Sequence, residues 1–309
     1  RSAKTLQSYI CISRPRRFGK SIAANMLSAY YTCEYDSREL FSNLKLASSD
    51  SYEKHLNKYD VIFLNMQEFL SQSSNVEEML SLLKKSVIWD LLDKYPDFRY
   101  FDETNLMRTL QDIYNKTKRP FVVIIDEWDC IFREYITDKK AQEKYLDFLR
   151  DLLKDKGYVA LAYMTGILPI KKYGTHSALN MFDEFSMIDP GPLAEYVGFT
   201  EAEVRMLCEQ YQMDMTEVKC WYDGYSFENE ISIYSPRSVV SCMRFKKIGN
   251  YWNQTETFEA LRIYIDMNFE GLKDDVLSMI AGNTVPVNIG NFSNDMSTFH
   301  FEDDVLTLL

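Results

Sequence analysis

The 309-residue chain has little of what builds metal centres and disulfide frameworks, with six cysteines and three histidines. Cys11, Cys33, Cys130, Cys208, Cys220 and Cys242 are scattered without a C-x-x-C pair, which argues against both a zinc site and a disulfide framework. Free thiols of this kind are expected to be reduced and partly buried. His55, His176 and His300 show no metal-ligand spacing. No apolar run reaches the roughly 18 residues needed to cross a bilayer. The start, RSAKTLQSYICISRPRR, has no apolar signal-peptide segment. No membrane contact is therefore expected, and a cytoplasmic location is predicted. Internal repeats and low-complexity tracts are also missing.

What is present is the balance of a soluble globular protein, 46% hydrophobic and 26% charged residues, enough to bury a sizeable core. The length predicts one large or two moderate domains. Net charge is −11 and unevenly spread. Residues 1–190 carry 27 Lys/Arg and 27 Asp/Glu, whereas residues 191–309 carry 8 and 19. That last part repels a phosphate backbone, so any nucleic-acid contact is expected to come from the first part or from regions absent from this chain, through which a protein partner is also allowed for. Oligomerisation is left open by the sequence.

Apolar patterning predicts alternating strands and helices up to about residue 190. Ser8–Ser13 reads as a strand, followed by RPRRFGKS and a helix from Lys20 to about Tyr31 with Ile22, Met26, Leu27 and Tyr30 on one face. A strand over 60–66, helices over 75–95 and 103–117, and a third strand, Phe121–Asp126, come next. The last of these has five apolar residues and no polar face, as a parallel strand covered on both sides requires. A charged helix over about 139–156, a strand over 158–165 and a weaker strand candidate at 184–188 complete the series. Strands separated by helices imply a parallel α/β sheet with right-handed crossovers and a ligand at the strands' carboxyl ends. After Asp189-Pro-Gly-Pro192 the strand signals stop, and helical patterns appear at about 200–211, 214–222, 236–246, 256–269 and 272–281. The expected organisation is a core over 1–190 and a helical, lid-like domain over 191–309.

Two segments carry chemistry. Gly19-Lys20-Ser21 matches the end of a G-x-x-x-x-G-K-[ST] phosphate loop, in which backbone N–H groups and a lysine meet phosphate oxygens and a hydroxyl ligates magnesium. The helix opening there adds its partial positive charge. Arg14 stands where the first glycine belongs, but the strand before and the amphipathic helix after give the tripeptide its required setting. About a hundred residues on, FVVIIDEWD ends a buried strand in Asp126 and Glu127. The first carboxylate suits magnesium and its water shell, the second the activation of an attacking water.

The chain resembles the AAA-ATPase-like family of prokaryotic P-loop proteins. The resemblance rests on RPRRFGKS, IDEWD, TG at 165–166, HSALNMFDEFS at 176–186, WYDGYSF at 221–227 and YSPRSV at 234–239, which occur in the family's order. It implies an ASCE-type P-loop NTPase core, with a parallel sheet sandwiched by helices and a mainly helical C-terminal region. It further implies ATP and Mg2+ as cofactors, with Arg14, Pro15, Arg16, Arg17, Phe18, Gly19, Lys20 and Ser21 forming the nucleotide loop. By the same resemblance Ser21 and Asp126 serve magnesium, Lys20 the phosphates, Glu127 acts as base, and Thr165 occupies a sensor position. Arg at the first loop position is ordinary in the family. Trp128 for Tyr and Ser235 for Asn depart from its pattern, and the segment that usually precedes the first strand is missing. Longer relatives continue into a PD-(D/E)XK nuclease-like domain, beyond this chain's Leu309. The function this implies is ATP hydrolysis coupled to movement of the helical domain. The alternatives are a slow nucleotide-dependent switch or scaffold, and an accessory module of a nuclease or nucleic-acid-processing system.

Overall fold

The computed structural model describes residues 7–168, 170, 179–187, 189–227, 231–251, 271–287, 303 and 306. By their contacts the residues sort into two units, Arg1–Pro15 with Gly19–Val197, and Arg16–Phe18 with Gly198–Leu309.

In the first unit the chain runs β1 (Tyr9–Ser13), α1 (Lys20–Tyr31), α2 (Arg38–Phe41), α3 (Tyr52–His55), β2 (Asp60–Asn65), α4 (Met66–Ser71) and α5 (Val76–Lys94). It continues through α6 (Leu106–Thr117), β3 (Phe121–Asp126), α7 (Cys130–Glu134), α8 (Lys139–Leu153), β4 (Val159–Gly166) and β5 (Asp183–Phe185). The five strands make one parallel sheet in the order β2-β3-β4-β1-β5, the α/β architecture expected of a P-loop NTPase core. All six residues of β3 are buried, so its lack of a polar face is explained by cover on both sides. Helix starts are set by side-chain caps, with Asn75, Asn105 and Asp138 accepting the N–H groups of Glu78, Arg108 and Ala141.

Helix α1 corrects one expectation. It buries Lys20, Ala24 and Tyr30, while Ile22 and Met26 are 66% and 44% exposed. The helix is phased by Lys20, whose ammonium turns inward to its own loop, and by Ala24, which is small enough to let the helix lie close to the sheet. The apolar stripe of Ile22 and Met26 is thereby rotated outward.

The second unit contains β6 (Phe199–Thr200), α9 (Glu201–Tyr211), α10 (Met215–Tyr222), β7 (Tyr225–Phe227), β8 (Ile231–Tyr234), α11 (Pro236–Phe245) and a further helix, Leu272–Ile280. The helices match the sequence pattern, except that 256–269 lies outside the described residues. The expectation that strands stop after Pro192 is overturned, because β6, β8 and β7 form an antiparallel sheet in that order. Strands of two to four residues are too short to show an alternation of period two. Val204, Cys208, Val218, Tyr222, Tyr234, Val239 and Cys242 form this unit's core.

The end of β4 is held in the first unit by an unusually close approach. A Cβ on Gly166 would lie 2.6 Å from the Trp128 Nε1 atom and 2.9 Å from the Asp129 Oδ1 atom. Trp128 is itself pinned, its N–H donating to the Thr165 carbonyl (3.0 Å) and its carbonyl accepting from the buried Tyr145 hydroxyl (2.7 Å). Gly166→Ala is therefore expected to cost about 1–3 kcal/mol by overpacking. Urea denaturation checks this; a variant as stable as the parent would show that the Trp128 ring is free to move.

Candidate functional site

The carboxyl edge of the parallel sheet gathers most of the residues singled out in the sequence. The register sets Ile12 beside Thr165 and Ser13 beside Gly166, and pairs Ile125 with Met164. Because β4 lies between β1 and β3, the turn leaving β1, the end of β4 and the acidic end of β3 share one side of the sheet. Strand geometry alone places them there.

The loop begins with Arg14, whose N–H donates to the Gly166 carbonyl at 3.1 Å. Its side chain is fully buried and turned away from the loop, and Nη1 donates to the carbonyls of Phe185 (2.9 Å) and Ser13 (3.2 Å). Burial lowers its guanidinium to about 10. Next to it Glu184 Oε1 accepts from the Ser13 hydroxyl (2.9 Å) and the Ile170 N–H (2.6 Å), and burial raises that carboxyl above its ordinary value. Strand β5 thus anchors the entry to the loop. Only the FDEFS motif hinted at this in the sequence, and it carried no sign of which side chain would reach β1.

Gly19, at φ 89°, turns the chain into α1 from the left-handed region, where a side chain is strained. Arg17 also lies there, at φ 69°. Gly19 at the N-cap has no side chain to cap α1 and the first turn holds no acid, so the leading N–H groups there are of the kind that a ligand or water satisfies. The Lys20 ammonium is buried and donates to the carbonyls of Arg14 (3.0 Å) and Pro15 (2.9 Å). Burial lowers its pKa, while Glu127, Asp129 and Asp126 act in the opposite direction. Ser21 is exposed on the first turn. Arg16, Arg17 and Phe18 belong to the second unit, where buried Phe18 meets Tyr225 edge to face with centroids 5.1 Å apart.

At the end of β3, buried Asp126 accepts through Oδ1 from the Thr165 hydroxyl and from the Glu127 N–H, the latter at 3.2 Å. Glu127 adopts φ 56°, a left-handed conformation costing roughly 1–2 kcal/mol for a residue with a side chain. Strain of this kind is concentrated at functional sites. Burial raises the Glu127 carboxyl above its ordinary value, and Arg133 is the main opposing influence. Arg133 Nη2 donates to Glu127 Oε2 at 2.5 Å, and Arg133 Nε makes an ion pair with Asp129 Oδ2 at 3.3 Å. The same Asp129 oxygen accepts from the N–H groups of Ile167 (3.0 Å) and Leu168 (2.8 Å). The sequence reading assigned no role to Asp129 or Arg133; Asp129 could have been found as the last acid of IDEWD, whereas Arg133 lies on a helix too short to show a pattern.

Among the described residues no group of three or more His, Cys, Asp and Glu could hold a metal ion by itself. The donors on offer are the Asp126 carboxylate and the Ser21 hydroxyl. Such hard oxygens, one carboxylate and one hydroxyl, suit a magnesium ion that keeps phosphate and water as its other ligands.

No helix among the described residues is long and apolar enough to cross a membrane. A family model described as predicted AAA-ATPase matches residues 2–175. The chain is also similar to an uncharacterized protein in the vnfD 5' region of Azotobacter chroococcum mcd 1, with 22% identity over 254 residues, covering 80% of this chain and 47% of the relative. The chain thus spans about half the length of that curated relative. The match over more than half the chain, together with a five-stranded parallel sheet and an uncapped glycine-lysine helix start at its carboxyl edge, supports nucleotide binding, and the protein belongs to the AAA-ATPase-like family.

Proposed function

We propose that the chain is a magnesium-dependent ATPase whose nucleotide phosphates lie at the start of α1. The observation that carries this proposal is the bond between the Thr165 hydroxyl and Asp126 one strand away from the GKS loop, which joins the two halves of the motif set at one sheet edge. Lys20 is the cation for the β and γ oxygens, and leaves the Arg14 and Pro15 carbonyls when a phosphate arrives. Arg14 contributes its main chain, since its side chain is committed to β5. Ser21 and Asp126 are the residues that would hold magnesium, which when bound neutralises charge on the phosphates. Glu127 accepts the proton of the attacking water, and Thr165 fixes Asp126 and senses the γ-phosphate. ATP in place of GTP follows from the family; the N-K-x-D string Asn57-Lys58-Tyr59-Asp60 leads into the amino end of β2, where Asp60 is buried and paired with Lys94, and not to the carboxyl edge.

The second unit is proposed to respond to nucleotide as a lid. Support comes from the chain path, since Arg16–Phe18, within the proposed nucleotide loop between β1 and α1, are assigned to that unit. Limited proteolysis near residues 189–192 is expected to slow in the presence of ATP; equal cutting rates with and without ATP would rule out this response.

Binding of Mg-ATP is expected to raise thermal stability, by about 2.7 kcal/mol at a hundredfold excess over the dissociation constant. Lys20→Ala should abolish that shift in a melting experiment, and an unshifted parental curve at saturating ATP would reject the site. The two adjacent carboxylates should fail differently. Glu127→Gln keeps ATP binding and lowers the single-turnover rate roughly 10²–10⁴-fold, whereas Asp126→Asn also weakens magnesium-dependent binding. A parental single-turnover rate in Glu127→Gln would remove the base assignment and favour a slow nucleotide-held switch.

A further inference from the structure

Arg133 lies outside every motif, yet its guanidinium lies between two carboxylates of the IDEWD motif. The planar fork donates to Glu127 Oε2 at 2.5 Å and faces Asp129 Oδ2 at 3.3 Å through Nε. Asp129 is fully buried, and it is held by the N–H groups of Ile167 and Leu168, the two residues that follow β4. A rigid chain of contacts therefore runs from the end of the Thr165 strand, through Asp129 and Arg133, to the Glu127 carboxylate. Among the described residues Glu127 Oε1 accepts no hydrogen bond, so one oxygen is anchored while the other is left for water. Asp129 cannot take the part of Glu127, because it is sealed from solvent and already carries these backbone contacts. Arg133 is only slightly exposed, its side chain at 14%, so it is part of this packing and not a surface cation that happens to lie near.

We infer that Arg133 is a positioning residue for hydrolysis, holding Glu127 Oε2 so that Oε1 presents to the attacking water, with Asp129 as its fixed mount. This rests on Glu127 serving as the base. An arginine suits the task because its guanidinium can hydrogen-bond one carboxylate through Nη2 while Nε faces a second, which a lysine's point charge does not reproduce. Misplacement of a reacting group by about 1 Å can cost on the order of 100-fold in rate.

The test is single-turnover ATP hydrolysis with magnesium by the full chain, alongside ATP titration, for Arg133→Ala, Arg133→Lys, Glu127→Gln and the Arg133→Ala/Glu127→Gln pair. Arg133→Gln, which retains the packed stem, serves if Arg133→Ala melts too low to assay. The expected result is a rate roughly 10- to 100-fold lower in Arg133→Ala with ATP affinity unchanged, partial recovery in Arg133→Lys, and no further loss on adding Arg133→Ala to Glu127→Gln. A slow Glu127→Gln with a parental Arg133→Ala overturns the role of Arg133 alone. So does an equal loss from Arg133→Ala in both backgrounds, since the arginine would then act on something other than Glu127. A parental rate in Glu127→Gln removes the base, and the role of Arg133 with it.

Discussion

Strand β3 has no solvent on either face and no free edge. Its backbone is paired with β2 along its whole length and with β4 from Phe121 to Ile125, with one register shift at Phe121/Val122, as burial of polar backbone groups demands. Polar side chains can then appear only where the strand leaves the sheet, and Asp126 and Glu127 stand at that exit. The same pairing fixes β4 next to β3, and the remaining edge of β4 is taken by β1. Thr165 is left between the acidic exit and the glycine-lysine turn. The grouping of loop, hydroxyl and carboxylates is a consequence of strand order, and loop length contributes little to it.

The electrostatics of the edge follow from this crowding. Asp126, Glu127 and Asp129 fall within four positions, and each is at least partly removed from water. Burying carboxylates so close together is unfavourable unless cations and backbone donors meet them. Arg133 serves two of the three, the Thr165 hydroxyl and the backbone serve Asp126, and Lys20 lies within the field of all three. Neutralisation is thus shared among elements from different parts of the chain, which ties the local conformation of each to that of the others.

Long elements were legible in the sequence because their signals are physical and local. The apolar run of β3, the amphipathic stretches of α5 and α6 and the charged pattern of α8 each state their element without tertiary help. The phase of α1 was not legible, since it is set by the inward turn of Lys20 and not by the apolar residues Ile22 and Met26. Neither was the sheet of β6, β7 and β8, whose strands are shorter than any pattern. At the candidate site, the spacing of GKS and IDEWD named Lys20, Asp126 and Glu127, and the structure brings them to one edge. What these residues do is proposed and not read from that placement. Asp129 and Arg133 escaped notice because their meaning lies in contacts with β4 and with each other. The inward commitment of Arg14 was hidden likewise, since it depends on β5 lying beside β1.

The turned-in position of Lys20 bears on which anions its loop would favour. Its ammonium is not bare, for two carbonyl oxygens of its own loop already surround it. An arriving anion gains from Lys20 only the difference between its own oxygens and those carbonyls. A small, weakly charged anion such as chloride offers little beyond what it displaces. A chain of phosphates, which can engage the uncapped N–H groups of α1 at the same time, offers much more. Under the proposed function, the turned-in lysine thus sets a threshold that favours a ligand with several adjacent charges over a single small anion.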